Sequence, residues 1–207
     1  SSIAIKGASH LSFISDNLQN EFLNEISILQ NLLKQRLNTE KNEQVKFEIN
    51  EIFDASKPKK INDFINLDYN EFRLTPHELY YLKKTNRSIW VDFLIHRYRF
   101  KQYPLKKIIA PFPVHVCIEP TSICNLRCVM CFQIDKSFSH DKHFMGYMDM
   151  NLYNKLIDEI ADNGCKAVTL ASRGEPTLHK KFDLMLDKLS QKNIFDVKIN
   201  TNATTLT

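Results

Sequence analysis

No stretch of this chain approaches the roughly 18 consecutive apolar residues that a membrane span needs. Its most apolar runs, such as Ser88 to Ile95, are broken by Asp92 or end at Arg97 and Arg99. The opening residues, Ser-Ser-Ile-Ala-Ile-Lys-Gly, have none of the charged-then-apolar order of a signal peptide. There is no internal repeat or low-complexity segment. Cysteine is scarce and odd in number, five in 207 residues with three crowded into one loop. That argues against a disulfide framework and for a reducing, cytoplasmic setting. A chain of this length can bury a substantial core without covalent staples. It opens without methionine and stops at Asn-Ala-Thr-Thr-Leu-Thr, directly after a strand-like segment, so a piece of a longer protein is expected.

Charge is unevenly spread. Residues 1–110 hold 17 Lys and Arg against 13 Asp and Glu, whereas residues 111–207 hold 11 of each, so the whole net charge of +4 lies in the first half. Lys83, Lys84, Arg87, Arg97, Arg99, Lys101, Lys106 and Lys107 have only Asp92 as a nearby acid in sequence. Such a cluster attracts phosphate, nucleic acid or an anionic sugar carrier in some proteins. With no glycine-rich or base-stacking motif beside it, a solvated helix face is the expected reading and nucleic acid is not an expected partner.

Residues 1–110 read as a mainly helical region, with a possible short strand at Ser2 to Lys6. Leu18, Phe22, Ile26, Leu29, Leu33 and Leu37 recur at the three-and-four spacing of a helix that buries one stripe. Thr75-Pro76-His77-Glu78 is a sharper start signal, combining a capping hydroxyl, proline at the first helical position and Glu three residues on. That helix is predicted to run toward Tyr103 and stop before Pro104. Asn38 to Gln44 and Ser56 to Lys60 read as connections.

From Pro111 to the end the punctuation changes to strand, helix, strand, helix, strand. Val114 to Glu119, Lys166 to Ala171 and Val197 to Thr201 are the strands; Leu152, Leu156, Ile157 and Ile160 mark one helix, which Gly164 can terminate, and Phe182, Met185, Leu186 and Leu189 the other. This order predicts parallel strands joined by crossovers, an α/β architecture in which ligands gather at the carboxyl ends of the strands. Cys124-Asn-Leu-Arg-Cys128-Val-Met-Cys131 follows the first strand, Arg173-Gly174-Glu175-Pro176 the second, and Thr201-Asn202 closes the third. All three therefore fall on one edge.

Three closely spaced thiols with no fourth nearby are a specific chemical pattern. Thiolates are soft ligands suited to zinc, copper(I) and iron–sulfur clusters. A cubane held by three cysteines leaves one iron open to an outside ligand. The alternative is a zinc-stabilised interaction module with a remote fourth ligand among His140, His143, His179, Cys117 and Cys165. Cys117, in an apolar strand, and Cys165 otherwise read as small buried hydrophobes.

Cys124-x3-Cys128-x2-Cys131, Gly174-Glu175-Pro176 and Thr201-Asn202-Ala203-Thr204, each after its strand, together resemble the radical S-adenosylmethionine (radical SAM) superfamily over residues 111–207. The resemblance implies a [4Fe-4S] cluster on Cys124, Cys128 and Cys131, with S-adenosylmethionine chelating the open iron. It implies reductive cleavage of that cofactor to a 5′-deoxyadenosyl radical, and residues 111–207 as the first three units of a (β/α) TIM-like barrel. Met130, Ser172, Gly174, Glu175 and Asn202 become cofactor-binding candidates, Glu175 facing the cofactor's ammonium. Three positions depart from the family pattern: Met130 stands where an aromatic residue is common, Arg173 replaces the first glycine of Gly-Gly-Glu-Pro, and Ala203 replaces the glycine of Thr-Asn-Gly. The resemblance further implies an electron donor such as flavodoxin or ferredoxin, and a small-molecule, sugar or peptide substrate. It leans toward the branch with a C-terminal auxiliary-cluster (SPASM or Twitch-like) domain. A subunit that binds cluster and cofactor without turnover is the remaining alternative, and no catalytic residue is assigned.

Overall fold

The computed structural model of the chain describes residues 22–57 and 71–206. Two compact units divide between Ile109 and Ala110. The expected strand at Ser2 to Lys6, the stripe residue Leu18 and most of the Ser56 to Lys60 connection lie outside the described residues.

The first unit contains α1 (Leu23–Thr39), α2 (Glu43–Ala55), α3 (Pro76–Lys84) and α4 (Trp90–Lys106). Leu29 and Leu33 of the predicted stripe are fully buried, together with Ile49, Ile52, Leu82, Leu94 and Tyr98. Asn42 starts α2 by accepting hydrogen bonds from the amides of Gln44 and Val45 at 2.9 and 3.2 Å. Proline opens α3 as expected, and the Glu78 carboxylate accepts from the Thr75 amide at 2.9 Å.

The single helix expected from Thr75 to Tyr103 is instead two. The chain breaks after Lys84, and a short 3-10 turn at Arg87–Ile89 precedes α4. Asn86 explains the break: its side chain caps the new start by accepting from the Ser88 amide at 2.9 Å. Nor does the helix stop before Pro104, which lies inside its last turn. The cost there is small because the helix ends two residues later, with Lys107 left-handed at φ 54° and the Ile108 amide donating to Tyr103 O at 2.9 Å.

The basic cluster is a solvated face only in part: Lys83, Lys84, Arg87 and Lys107 are exposed. Arg97 and Lys101 meet the fully buried Glu78 at 2.9 and 2.8 Å, and Arg99 meets the fully buried Glu48 at 3.0 Å. Tyr103 donates to the same Glu48, and its hydroxyl pKa is pushed up to about 12, by burial first and then by that carboxylate. Lys106 bonds Tyr98 Oη at 2.9 Å and pairs with Glu51 at 3.4 Å. Four of the eight basic residues thus neutralise acids of their own unit.

In the second unit β1 (Val116–Ile118), β2 (Ala167–Leu170) and β3 (Asp196–Ile199) form one parallel sheet in the order β1-β2-β3. Short helix α5 (Lys136–Ser139) lies in the long excursion after β1, α6 (Met150–Asp162) joins β1 to β2, and α7 (Phe182–Ser190) joins β2 to β3. The register pairs Val116 with Val168 and Val197, and Ile118 with Leu170 and Ile199. On this face Ile118, Val168 and Leu170 pack with Tyr153, Ile157, Ile160, Met185 and Leu189 of α6 and α7. The alternate set, Cys117, Thr169 and Lys198, occupies the other face. Cys117 is exposed there, contrary to the expected buried hydrophobe, because neither helix covers that face. Cys165 is buried as expected. The sheet is open among the described residues: three strands do not close a barrel, which takes about eight.

Glu78 generates a prediction for the first unit. Burial alone would raise its carboxyl pKa, but Lys101, Thr75 and Arg97 outweigh it and hold the group below its ordinary 4.5. A depressed acid stabilises the fold above that ordinary value and loses the contribution as pH falls below it. Glu78→Ala leaves Arg97 and Lys101 mostly buried without counter-charge and should cost about 3–5 kcal/mol at pH 7. Denaturant unfolding of the two proteins at pH 7 and pH 3 should show the difference shrinking in acid.

Candidate functional site

The three loops at the carboxyl ends of the strands are bonded to one another. The ladder continues past the strands, with Ala171 N donating to Ile118 O at 3.0 Å and Asn200 N to Leu170 O at 3.1 Å. The first loop is braced by its own excursion: Ser122 N donates to Gly146 O at 3.1 Å and Met148 N to Pro120 O at 2.9 Å. Cys124, Cys128 and Cys131 follow. Cys131 N donates to Cys128 O at 2.9 Å, a tight turn that leads into a 3-10 turn at Phe132–Ile134. Cys124 and Cys131 are half-buried and Cys128 is exposed. Val129 and Met130 form the tip, 84% and 87% exposed. Met130 therefore makes no packed contact that marks it as a ring platform. Cys124 Sγ accepts from Leu126 N at 3.4 Å and lies 3.9 Å from Asn202 Nδ2. The three thiols share one loop, but among the described residues no three His, Cys, Asp or Glu side chains stand converged as a metal-binding group.

The second loop approaches the first very closely. A Cβ at position 174 would sit 2.0 Å from Thr121 O and 2.7 Å from Ile123 O, both backbone atoms that cannot step aside. Only glycine fits here, because of close approach and not because of its φ. Glu175 N donates to Ile123 O at 2.8 Å. Arg173 forks onto Glu119 with Nε–Oε2 2.9 Å and Nη2–Oε1 2.7 Å, and its amide adds a third bond at 2.9 Å. Its guanidinium is thus committed to Glu119 instead of being merely solvated. Burial pushes the Glu119 carboxyl up, but the Arg173 bonds outweigh it and the net shift is downward. Ser172, between these contacts, takes φ 121°, a backbone conformation that non-glycine residues rarely adopt.

Glu175 joins the second loop to the third. Its side chain is buried, and Oε1 accepts from Thr177 N at 3.1 Å, Thr177 Oγ1 at 2.7 Å and Thr201 Oγ1 at 2.6 Å, while Oε2 accepts from Asn202 N at 2.6 Å. Burial raises its pKa, but these four donors prevail and hold it below the ordinary value. Asn202 in turn reaches the cysteine loop, with Nδ2–Asn125 Oδ1 3.0 Å, and Asn125 Nδ2 returns to Thr204 Oγ1 at 2.7 Å. Ala203 sits at φ 60°, the left-handed conformation for which glycine is the easy residue.

Gln133 was not legible from sequence. Almost fully buried, it donates from Nε2 to Ser122 O and to Arg173 O, both at 2.7 Å, stapling the far end of the cysteine loop to the first two loops. No motif surrounds it. Glu119 was equally silent, although an acid at the end of a strand opposite Arg173 was the available signal.

A model of the radical SAM superfamily matches residues 118–207. This segment belongs to the radical SAM superfamily. A tungsten-containing aldehyde ferredoxin oxidoreductase cofactor-modifying protein of Pyrococcus furiosus is 35% identical to the chain over 94 residues, which cover 45% of this chain and 25% of that protein. The chain thus spans about a quarter of the relative's length. No solved structure matches the chain. No described helix is long and apolar enough to cross a membrane.

Donor chemistry fits the superfamily's cluster: three free cysteines stand on one loop, at the carboxyl edge of the sheet, with no disulfide among them. The zinc alternative loses two fourth-ligand candidates. His179 uses both ring nitrogens, Nδ1 accepting from Lys181 N at 3.1 Å and Nε2 bonding Met148 O at 3.0 Å. Cys165 donates to Val114 O and Ala167 O at 3.4 and 3.5 Å, and burial raises its thiol pKa. If the radical SAM loops depend on close approach, Gly174→Ala should destabilise the second unit by roughly 1–3 kcal/mol. Thermal unfolding, with anaerobic iron uptake measured alongside, should show both falling together; an unchanged Tm would mean that the loops do not touch there.

Proposed function

We propose that this chain carries the cluster-binding segment of a radical SAM enzyme of cytoplasmic setting. The observation that carries the reading is the joining of the Cys124, Cys128 and Cys131 loop to Gly174-Glu175-Pro176 and to Asn202 on one sheet edge. Cys124, Cys128 and Cys131 are the ligands proposed for a [4Fe-4S] cluster. Met130, Ser172, Gly174, Glu175 and Asn202 are the surroundings proposed for S-adenosylmethionine. When bound, the cluster supplies an electron and S-adenosylmethionine the radical group that takes hydrogen from a substrate.

The chain's own residues perform three tasks. Gly174 keeps the second loop against the first, so that no side chain fills the space at the strand ends. The Glu119–Arg173 fork removes the Arg173 charge from competition for an anionic ligand. The exposed tip at Val129 and Met130 leaves the cysteine loop free to close on a cluster. A flavodoxin- or ferredoxin-like reductant, completion of a (β/α) barrel by further strands, and an auxiliary-cluster domain belong to the same proposal. The substrate class extends to small molecules, sugars and peptides, and the cofactor-modifying role in the relative's name supports the small-molecule end.

Anaerobic reconstitution should load about four iron and four sulfide per chain, the composition of one cubane. Cys128→Ala should reduce both to near background, while Cys117→Ala should leave them unchanged. Release of 5′-deoxyadenosine on reduction separates an enzyme from a subunit that only binds. Tight zinc uptake with no sulfide would replace the reading with the zinc module.

A further inference from the structure

We infer that Glu175 is a positioning residue, a latch that seats Asn202 against the sulfur of Cys124, and not a direct contact to the cofactor's ammonium. The inference rests on the radical SAM reading of the cysteines for its redox consequence, but the latch itself is a property of the chain alone.

Three observations converge. First, the carboxylate is occupied by its own protein: four donors from Thr177, Thr201 and Asn202 meet it at 2.6 to 3.1 Å, and the residue is 3% exposed. Oε1 already takes three of these donors, more than its two lone-pair sites, and Oε2 takes the Asn202 amide, so any further donor must reach a single site on Oε2 of a residue that is 3% exposed. Second, the bond from Asn202 N fixes the backbone of the residue whose carboxamide extends to the cysteine loop. Asn202 Nδ2 lies 3.0 Å from Asn125 Oδ1 and 3.9 Å from Cys124 Sγ, and Asn202 Oδ1 accepts from Thr204 N at 3.0 Å and Thr204 Oγ1 at 2.7 Å. With its oxygen held by Thr204, the amide nitrogen is the end that must face Asn125 and the sulfur. Third, the other bonds that reach the loop between Thr201 and Leu206 from the first two loops come from neutral groups: Asn125 to Asn202 and Thr204 at 3.0 and 2.7 Å, and Thr177 to Thr205. Among those contacts Glu175 is the buried carboxylate, meeting Thr201 Oγ1 and Asn202 N at 2.6 Å each.

An N–H aimed at a cluster thiolate stabilises the more negative, reduced cluster and so raises its potential. Glu175 would then act on the cluster through Asn202, at a distance from any cofactor group.

The test compares Glu175→Gln, Glu175→Ala and Asn202→Ala in the full chain. Glu175→Gln is isosteric and guards against a folding defect. In the metal-free protein, amide hydrogen exchange across residues 201–206 should quicken by at least about tenfold in both Glu175 variants, the loss of one charge-assisted hydrogen bond. In the reconstituted protein without S-adenosylmethionine, the cluster midpoint potential should move negative in Glu175→Gln and in Asn202→Ala. The double variant should move no further than Asn202→Ala alone, which a merely structural weakening would not produce. Unchanged exchange overturns the latch. An unchanged potential combined with weakened S-adenosylmethionine binding returns Glu175 to direct contact. A wild-type chain that takes up no iron fails the family reading, while the exchange comparison still decides the latch.

Discussion

A buried carboxylate must either take up a proton or find donors for its lone pairs, and the solution adopted by Glu175 organises the edge of the sheet on which everything else depends. Its donors come from two different loops. Thr177 belongs to the turn that begins beside Glu175 itself, whereas Thr201 and Asn202 arrive from the end of β3. Since each bond is to an ionised acceptor, the carboxylate resists protonation and the two loops stay tied. The first loop is held by contact as well as by charge. Gly174 lets its backbone lie against Thr121 and Ile123, and the Glu119–Arg173 fork closes the same junction from the other side. The result is one connected rim built from three short loops.

Much of this was written in the sequence, for reasons that can be named. The strand, helix, strand order and the periodic stripes of α6 and α7 follow directly from burying one sheet face under two helices. The cysteine spacing and the Gly-Glu-Pro run located the edge. What sequence could not supply was the partner of each polar group. Arg173 was legible only as a departure from the Gly-Gly-Glu-Pro pattern, and its partner Glu119 lies 54 positions away. Gln133 carries no motif, yet it bridges two loops because its position is dictated by where Ser122 and Arg173 present their carbonyls. Cys117 failed for a different reason: in a parallel strand an apolar run implies burial on both faces, and this sheet is covered on one.

The helical unit shows the same limit in its charges. Read along the chain, Arg97, Arg99 and Lys101 form a positive block with one acid near it. In space they converge on Glu78 and Glu48, which α3 and α2 bury completely. Two buried carboxyl groups are tolerable in a core only with such partners, so Arg97, Arg99 and Lys101 are better understood as partners of the core than as a surface for an anionic polymer. A sequence scan weighs neighbours within a few positions, whereas the Glu48–Arg99 pair spans 51. The split of the expected long helix belongs here too, because local capping by Asn86 outweighed a continuous helical pattern.

The arrangement of the thiols follows from where the cysteine loop is held and where it is not. Near its start, Asn202 holds Asn125 and approaches Cys124; just beyond its end, Gln133 clips the turn that follows Cys131 to Ser122 and Arg173. Between the anchors lie Cys128, Val129 and Met130, all exposed. Fixing both ends of a short segment lowers the chain entropy that closing it would otherwise lose. If the three cysteines hold a cluster as proposed, Glu175, Asn202, Gln133 and Gly174 would set the loops around it through their contacts to one another and to the backbone.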